Sequence, residues 1–316
     1  MSASADSTLF TIVVPTFDRE HHIGRCLGSI ARQSFKDYDV VVVDNKSTDR
    51  TVEIVLAFSD RIKIDVLVND SNRERSYSRN RGAAHAAGRF LVFLDSDDEL
   101  RADSLERAAA FIEADSERRF FFQKLTIVDE SGTTVYEPTV SRRHSMCRTL
   151  AEGNPLSCSG VFVERSLFLE HRFDENPELV GSEDWHCWIR IATEHEPVVC
   201  PGGGALLLNH FSRTISSDTW QEAEERFAHL TSDLLADRAA SDYLAPYLGL
   251  FYGSQAHYVA VKAANQSDLQ SSVVRFGRAI HRSPSLLLGR RTLHLFRLWL
   301  RHAFGCSERH SDVAST

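Results

Sequence analysis

Apolar runs alternate with helically spaced segments along the first 130 residues of the chain. Runs of consecutive apolar residues bounded by polar turns predict buried β-strands. The segments between them repeat apolar residues every three or four positions, which predicts amphipathic helices. The predicted strands cover residues 11–15, 39–44, 63–68, 90–94 and 120–128. The predicted helices cover residues 20–33, 47–58, 75–87 and 102–114.

The predicted strands are apolar throughout and do not alternate with polar residues. Strands of this kind are buried on both faces, so the pattern predicts an α/β fold with a mostly parallel sheet flanked by helices. Sheets of this class bind their ligands beyond the carboxyl ends of the strands. Asp44 and Asp95 stand at two such ends.

The pattern changes after about residue 130, where shorter and more varied elements are predicted. They are a turn at 129–132, a strand at 159–163, a helix at 181–194 and a hairpin around the Pro-Gly-Gly-Gly sequence at 201–204. From 217 to about 304 the spacing is helical throughout. We therefore divide the chain into a ligand-binding half, a second half of the same domain and a helical C-terminal extension. Their ranges are 1–129, 130–216 and 217–316.

Composition narrows the classes of function. The formal net charge of −8 argues against nonspecific binding of nucleic acid, so no nucleic-acid partner is predicted. The first residues lack a signal-peptide pattern, and no stretch reaches the roughly 18 apolar residues of a spanning helix. The six cysteines form no CxxC pair, and we interpret them as reduced thiols. These features predict a cytoplasmic protein.

Three carboxylates follow the fourth predicted strand directly, at Asp95, Asp97 and Asp98. Clustered carboxylates at a buried strand end repel one another unless they are paired or bind a cation. A divalent cation with oxygen ligands would resolve the repulsion and leave coordination positions for phosphate. The alternative is a solvated loop whose acids favour the N-terminus of the next helix.

Four motifs in order carry a resemblance to a known family, and they extend from residue 11 to about 215. They are VVPTFDR, VVDNKSTD, SRNRGAAHAAGRFLVFLDSDD and FDENPELVGSEDWHCWIR. Together they resemble the inverting glycosyltransferases of family 2, which have the Rossmann-like GT-A fold. The resemblance implies metal-dependent transfer of a sugar from a nucleotide-diphosphate donor to an acceptor hydroxyl, with Mn²⁺ or Mg²⁺ as cofactor. A UDP-sugar is the first expectation for the donor, and the acceptor would be a glycan, a lipid-linked molecule or a protein.

The resemblance also implies roles for residues near the strand ends. Asp97 would bind the metal, and Asp95 would contact the metal or the ribose together with Ser96. Asp98 would either assist or cap the following helix. Asp44, Asn45 and Arg79 would hold the nucleotide, while Asn80 and Gly82 would shape the adjacent loop. The residues expected to line the base pocket are Pro15, Thr16 and Phe17.

Two adjacent positions depart from the family pattern. Asn45 stands where many members have a second aspartate, and Lys46 replaces a usual small residue. Since an amide both donates and accepts hydrogen bonds, the preferred base stays open.

The catalytic and acceptor residues are expected further along the chain. Asp184 would be the general base, positioned by Glu183, because a helix N-terminus favours its ionised form. Trp185 would stack on the acceptor sugar, with core packing as the alternative. His210 would be a further metal or phosphate ligand, and Arg213 a contact of the diphosphate.

The segment 286–305 is basic, apolar and helical, and residues 270–310 hold eight arginines against one acid. Two interpretations stay open for it. It would lie peripherally on the inner face of an anionic membrane, or it would pack against the acidic catalytic domain or a second subunit of a homo-oligomer.

Two other functions remain compatible with the sequence. A nucleotidyltransferase also places acids at sheet ends over a nucleotide, but it leaves the EDWHCW motif unexplained. A degenerate nucleotide-sugar binding module would not need Asp95, Asp97 and Asp184 together.

Overall fold

The structure, a computed structural model, describes residues 8–129, 131–137, 144–208 and 218–303. The chain falls into two compact units. The first contains the described residues of 1–139, 156–177 and 186–210, and the second those of 140–155, 178–185 and 211–316.

The first unit is built on a seven-stranded sheet with the order β10-β6-β9-β4-β1-β2-β3. Its strands are β1 (Phe10–Thr16), β2 (Tyr38–Asp44), β3 (Ile64–Val68), β4 (Phe90–Phe93), β6 (Phe120–Phe122), β9 (Val161–Glu164) and β10 (Val198–Val199). Strands β1 to β4 are mutually parallel, and β9 runs antiparallel to both β4 and β6. A four-stranded sheet has the order β5-β11-β7-β8. Its strands are β5 (Glu99–Leu100), β7 (Leu125–Val128), β8 (Thr134–Tyr136) and β11 (Ala205–Leu208).

Helices accompany these strands in the predicted alternation. They are α1 (Ile23–Ala31), α2 (Thr51–Leu56), α3 (Glu74–His85), α4 (Ser104–Glu113) and α6 (Arg165–His171). Helix α7 (Glu183–Ala192) begins in the second unit and continues in the first. The α/β fold with a flanked, mostly parallel sheet is therefore confirmed, and the element ends differ from the prediction by one to four residues.

Two predicted elements were wrong. The run 120–128 is not one strand, because Gln123 and Lys124 separate β6 from β7 and the two belong to different sheets. The runs around the glycines at 202–204 do not form a hairpin. Strand β10 pairs with β6, whereas β11 pairs with β5 and β7. All three glycines have positive φ, so they redirect the chain from one sheet to the other.

Helix α3 packs unusually close to the parallel strands. A Cβ atom built at Gly82 would lie 2.4 Å from Cγ1 of Val13 on β1 and 3.1 Å from Cγ2 of Val43 on β2. Any side chain at position 82 would push α3 away from the sheet. Gly82 thus fixes the distance between the helix that carries Arg79 and the strands that carry the acids.

The second unit is helical in its described residues. Its helices are α5 (Met146–Glu152), α8 (Trp220–Ala236), α9 (Arg238–Leu244), α10 (Leu248–Asn265), α11 (Leu269–Arg282) and α12 (Arg290–Ala303). The predicted C-terminal helical extension is confirmed. None of the described helices has both the length and the apolar composition needed to span a bilayer.

Candidate active site

The carboxyl ends of three parallel strands meet at one edge of the large sheet. Thr16, the last residue of β1, is in register with Asp44, the last residue of β2. On the other side of β1, the Leu94 N–H donates to the Val13 carbonyl at 3.0 Å, so the acids that follow β4 emerge at the same edge. The sequence therefore predicted the correct edge, because parallel strands align their ends.

The acids after β4 form a tight turn. The Asp98 N–H donates to the Asp95 carbonyl at 2.9 Å. One carboxylate oxygen from each of Asp95, Asp97 and Asp98 lies within 4.8 Å of the others. Asp95 and Asp97 are partly exposed, whereas Asp98 is buried. An all-oxygen group of this size suits a hard divalent cation such as Mg²⁺ or Mn²⁺.

Ser159 connects the two ends of this acidic turn. Its hydroxyl donates to Oδ2 of Asp98 at 2.8 Å and accepts from the Asp95 N–H at 3.3 Å. Ser159 is fully buried in the short turn Cys158–Gly160 that precedes β9. The sequence analysis missed this residue, because it lies 61 positions from Asp98 and no local motif marks it.

A buried thiol lies beneath the same turn. Sγ of Cys26, on α1, is 3.7 Å from the Asp95 carbonyl oxygen. Burial raises the pKa of the Cys26 thiol well above its usual value, and the nearby acids Asp98, Asp97 and Asp95 raise this pKa further. The thiolate is therefore disfavoured, and Cys26 acts as a small apolar residue under the site.

Arg79 is a buried cation aimed at the acidic turn. Its side chain is 2% exposed, and Nη2 donates to Oδ1 of Asp95 at 2.6 Å. The guanidinium carbon lies 5.4 Å from the centre of the Phe173 ring. Arg79 is therefore a buried charge and not a surface charge.

Asn80 fastens α3 to the segment that follows α6. Its Nδ2 donates to the Phe173 carbonyl at 2.8 Å and to Oε1 of Glu175 at 2.9 Å, while its Oδ1 accepts from the Phe173 N–H at 3.0 Å. Asn80 thus holds Phe173, whose ring packs against Arg79, and the bonds run to a distant segment of the chain.

Asn45 organises the loop that precedes α3. Its Oδ1 accepts from Nδ2 of Asn69 at 2.8 Å and from the Arg73 N–H at 2.9 Å, and its Nδ2 donates to Oδ1 of Asn72 at 2.6 Å. A carboxylate could not donate the third of these bonds. The amide at position 45 therefore has a structural explanation within this chain.

The neighbouring residues show how the end of β2 is shaped. The carboxylate of Asp44 is buried, and its Oδ2 accepts from the Ser47 N–H at 3.1 Å. Lys46, between them, has a φ of 72°. That left-handed conformation favours small residues, so the turn accommodates Lys46 with some backbone strain.

The end of β1 offers a buried hydroxyl. Pro15 and Thr16 are buried, and Oγ1 of Thr16 has no hydrogen-bond partner among the described residues. A buried hydroxyl without a partner is unfavourable in the absence of a ligand. Phe17, the next residue, is exposed, and Ser96 on the acidic turn is buried. At this strand end the Thr16 hydroxyl is therefore enclosed and the Phe17 ring faces solvent.

The expected catalytic acids lie in the second unit, at the start of α7. The Glu183 carboxylate is buried and accepts from the Gly181 N–H at 2.6 Å through Oε2. Gly181 has a φ of 92°, so the turn before the helix needs a glycine. Asp184 is partly exposed in the first helical turn. Glu183 thus shapes the turn, and Asp184 remains accessible to a substrate.

Trp185 has a different environment from the one expected for an acceptor contact. It is buried, and its indole N–H donates to the Leu150 carbonyl at 3.0 Å. The rings of Phe227 and Phe251 lie 6.0 and 5.3 Å from it, centre to centre. This placement favours the core-packing alternative. His210 and Arg213 lie outside the described residues.

Comparison with known proteins shows which family part of this chain matches. Residues 11–161 match the family model "Glycosyl transferase family 2". Among curated relatives, the Escherichia coli UDP-Glc:alpha-D-GlcNAc-diphosphoundecaprenol beta-1,3-glucosyltransferase WfgD is 25% identical over 244 residues, which is 77% of this chain and 93% of WfgD. The Staphylococcus aureus poly(ribitol-phosphate) beta-N-acetylglucosaminyltransferase TarS is 37% identical over 107 residues, but that match covers only 33% of this chain and 19% of TarS.

Solved structures extend the likeness to almost the whole chain. Residues 1–349 of S. aureus TarS in complex with UDP-GlcNAc superpose with a TM-score of 0.62 at 18% identity, covering 97% of this chain and 95% of that one. The mannosyltransferase PcManGT from Pyrobaculum calidifontis, with GDP-Man and Mn²⁺, gives a TM-score of 0.54 at 16% identity over 96% of this chain and 89% of its own. By its motifs and its family match, the segment 11–161 belongs to glycosyltransferase family 2, and the chain shares the fold of the solved glycosyltransferases.

Proposed function

We propose that this glycosyltransferase moves a sugar from a UDP-sugar to a hydroxyl of a lipid-linked or growing glycan acceptor, with inversion and with the help of a divalent cation. The observation that carries the proposal is the convergence of three carboxylates within 4.8 Å at the sheet edge. Arg79 is bonded to one of these carboxylates.

The residues of the acidic turn fit a hard cation. Asp97 and Asp95 would hold it, because both are partly exposed and their oxygens lie close together. Buried Asp98, bonded to Ser159, would support the turn from behind. When bound, the cation would neutralise negative charge on the diphosphate leaving group. The expected Mn²⁺ or Mg²⁺ ligand His210 remains a prediction.

The strand ends would bind the nucleotide. Exposed Phe17 would supply an aromatic ring for the base, and Pro15 and Thr16 would form the floor of the pocket beneath it. Arg79 would bring positive charge to the diphosphate side of the site, through its bond to Asp95. A uracil base is supported by the names of two relatives: WfgD is described with UDP-Glc, and a TarS structure contains UDP-GlcNAc.

Asp184 would remove the proton of the acceptor hydroxyl. Its position in the first turn of α7 favours the carboxylate form, since the helix dipole stabilises negative charge there. A general base must be ionised and reachable before transfer, and Asp184 is partly exposed. Attack by the acceptor from the side opposite the leaving diphosphate would invert the configuration of the sugar carbon in a single step.

The substitution Asp184→Asn tests this assignment. We expect turnover, measured as UDP release from UDP-glucose or UDP-GlcNAc with a GlcNAc-diphosphate lipid, to fall roughly 10²–10⁴-fold. UDP binding, measured by calorimetry with Mn²⁺ present, should stay within about twofold, because the proposed nucleotide contacts are elsewhere. The matched control is Asp242→Asn, an exposed acid on α9 of the same unit. If Asp184→Asn turned over as fast as this control, Asp184 would not be the base.

Chelation tests the cation requirement separately. We expect EDTA to abolish UDP release and added Mn²⁺ or Mg²⁺ to restore it. Undiminished turnover in EDTA would remove the cation from the proposal and leave Arg79 as the described cation of the site.

A further inference from the structure

The two last described helices expose an apolar surface. On α12, Leu293, Phe296 and Leu300 recur at three and four positions and face solvent; Leu293 is 58% exposed and Leu300 56%. On α11, Val273 is exposed, and Phe276 lies 5.6 Å from Phe296, ring centre to ring centre. The ring contact joins the apolar residues of both helices. We call the set Val273, Phe276, Leu293, Phe296 and Leu300 the outer apolar face.

The exposed residues Leu293, Phe296 and Leu300 lie apart from the stripe by which α12 packs, whereas Phe276 is half-buried and also contacts the core beneath. Leu295 and Leu298 are buried and form a core with Ala260, Val261 and Ala264 of α10. Leu295 and Leu298 therefore belong to the packed stripe and not to the exposed one. A helix needs one apolar stripe to fold against its neighbours. The second stripe of α12 is therefore not explained by the packing of this unit.

Exposed arginines lie beside the outer apolar face on α12, whereas on α11 Arg278 is paired with Glu224 and Arg282 lies over the Tyr252 ring. On α12, positions 290, 297 and 301 fall on one line of the helix surface beside the exposed leucines, because a helix has 3.6 residues per turn. All are exposed, and residues 269–303 contain no aspartate or glutamate. The exposed arginines of the two helices are Arg278, Arg282, Arg290, Arg297 and Arg301.

The turn between the two helices adds further exposed leucines. Leu287 and Leu288 lie between α11 and α12, and Leu288 is 93% exposed. A leucine held this far from its own core contributes nothing to folding. It would, however, insert readily among lipid chains next to the arginines.

We infer that this surface binds an anionic lipid bilayer peripherally, through the outer apolar face and its arginines. Exposed leucine and phenylalanine side chains would enter the boundary of the acyl chains, while the arginines would contact acidic headgroups. The charge decides between this occupant and a second copy of the chain. Two such surfaces facing each other would bring arginine against arginine without a single acid from 269–303, which is unfavourable.

Vesicle sedimentation of the full chain tests the inference without measuring turnover. We expect the protein to sediment with vesicles of phosphatidylcholine containing about one third phosphatidylglycerol, and not with phosphatidylcholine alone. Binding should weaken as salt rises, because surface charges are screened over about 10 Å at 0.1 M salt. Absence of binding to the anionic vesicles would overturn the inference.

Two variants separate the apolar and the charged contributions. Leu293→Ser with Leu300→Ser should lower binding at least tenfold, because it removes two exposed apolar groups without touching the packed stripe. Arg290→Glu with Arg297→Glu should lower it more strongly, since each lost arginine weakens binding about fivefold and each added glutamate repels the headgroups. The control for the leucine variant is Leu56→Ser, an exposed leucine of the first unit. The control for the arginine variant is Arg238→Glu, an exposed arginine on α9.

The same variants test whether a second copy of the chain or a nucleic acid binds this surface instead of a lipid bilayer. If the leucine variant left vesicle binding unchanged but converted a dimer to a monomer in light scattering, the surface would be a subunit interface and the inference would be wrong. If the arginine variant abolished binding to duplex RNA but not to vesicles, a nucleic acid would replace the lipid. Far-ultraviolet circular dichroism equal to the parent confirms that each variant is folded.

Discussion

Carboxylates have different charged neighbours in the two units of this chain. In the first unit, Asp95, Asp97 and Asp98 crowd together, with their oxygens within 4.8 Å. In the second unit, Asp218 lies between two cations: its Oδ2 accepts from Nη1 of Arg226 at 2.8 Å, and its Oδ1 accepts from the Lys262 ammonium. The first arrangement gathers three negative charges around one bonded arginine, Arg79, and the second surrounds one negative charge with two positive ones.

This difference indicates what each cluster contributes. Like charges held close together destabilise the folded state until a ligand neutralises them, so such a cluster is explained by binding and not by folding. A largely buried carboxylate between two cations contributes to folding, because removing it leaves buried positive charge without compensation. Substitutions in the acidic turn should therefore affect activity, and substitutions around Asp218 should affect stability.

The largest expected effect is the loss of activity in Asp97→Asn. An amide at this position would bind a divalent cation and the diphosphate much less well, so turnover should fall roughly 10³-fold or more, about 4 kcal/mol in barrier. The free energy of unfolding in urea should stay unchanged or rise slightly, because one repelling charge is gone. UDP release and urea titration measure the two quantities.

A matched substitution at an exposed acid is the control for this prediction. Asp60→Asn changes an exposed acid of the same unit and should alter neither turnover nor stability. If Asp97→Asn instead lowered stability by several kcal/mol, the acidic turn would be a folding element, and the contrast with Asp218 would disappear.

The second expected effect is the loss of stability in Asp218→Ala. Arg226 and Lys262 would keep their buried positions without the carboxylate, which should destabilise the second unit by about 3 kcal/mol. The side chain of Asp218 is only 13% exposed, so water compensates little. Urea unfolding followed by tryptophan fluorescence measures this effect. Asp242→Ala on α9, a well-exposed acid, should change stability by less than about 0.5 kcal/mol.

The two clusters also differ in how far the sequence revealed them. The acidic turn was predictable because its residues are adjacent in sequence and follow a strand end, where chemistry and hydrophobic pattern coincide. Asp218, Arg226 and Lys262 are spread over 44 positions of helical sequence, and nothing local connects them. The same limit explains why Ser159 was missed and why β6 and β7 were read as one strand. Long-range pairing decides these features, and apolar runs do not encode it.

The third prediction concerns the pH dependence of stability and a buried histidine of the second unit. His257 on α10 is buried; its Nε2 lies 3.3 Å from Oγ1 of Thr292, which itself donates to the Leu286 carbonyl at 2.6 Å. The neutral ring therefore donates to the Thr292 oxygen. Burial, and secondarily Arg291, lowers the pKa of His257 to about 4. Since the unfolded chain takes up this proton near pH 6.5, the stabilising contribution of the neutral ring is present above that pH.

As pH falls from 6.5 towards 4, the unfolded state binds the proton and the folded state does not, so stability declines. At pH 5 the loss from this one group should be about 2 kcal/mol relative to pH 7.5. Urea titrations of the parent and of His257→Gln at both values measure it as the difference between the two proteins. His281→Gln, an exposed histidine of the same unit, is the control. An identical acid dependence in parent and His257→Gln would show that other groups carry the decline.

The smallest expected effect falls on Ser159, where the contrast between the two units is least sharp. Ser159 is a neutral partner inside the acidic turn, so it should contribute to both folding and binding. Ser159→Ala removes the acceptor of the Asp95 N–H and a donor to Asp98, which should lower the free energy of unfolding by about 1 kcal/mol. The affinity for UDP with Mn²⁺ should fall several-fold, because the turn would hold Asp95 and Asp97 less firmly. Ser116→Ala, at an exposed position, should change neither quantity. If Ser159→Ala lowered stability alone, the turn would be correctly formed without its hydroxyl, and the geometry of the acids would depend on the backbone turn between Asp95 and Asp98.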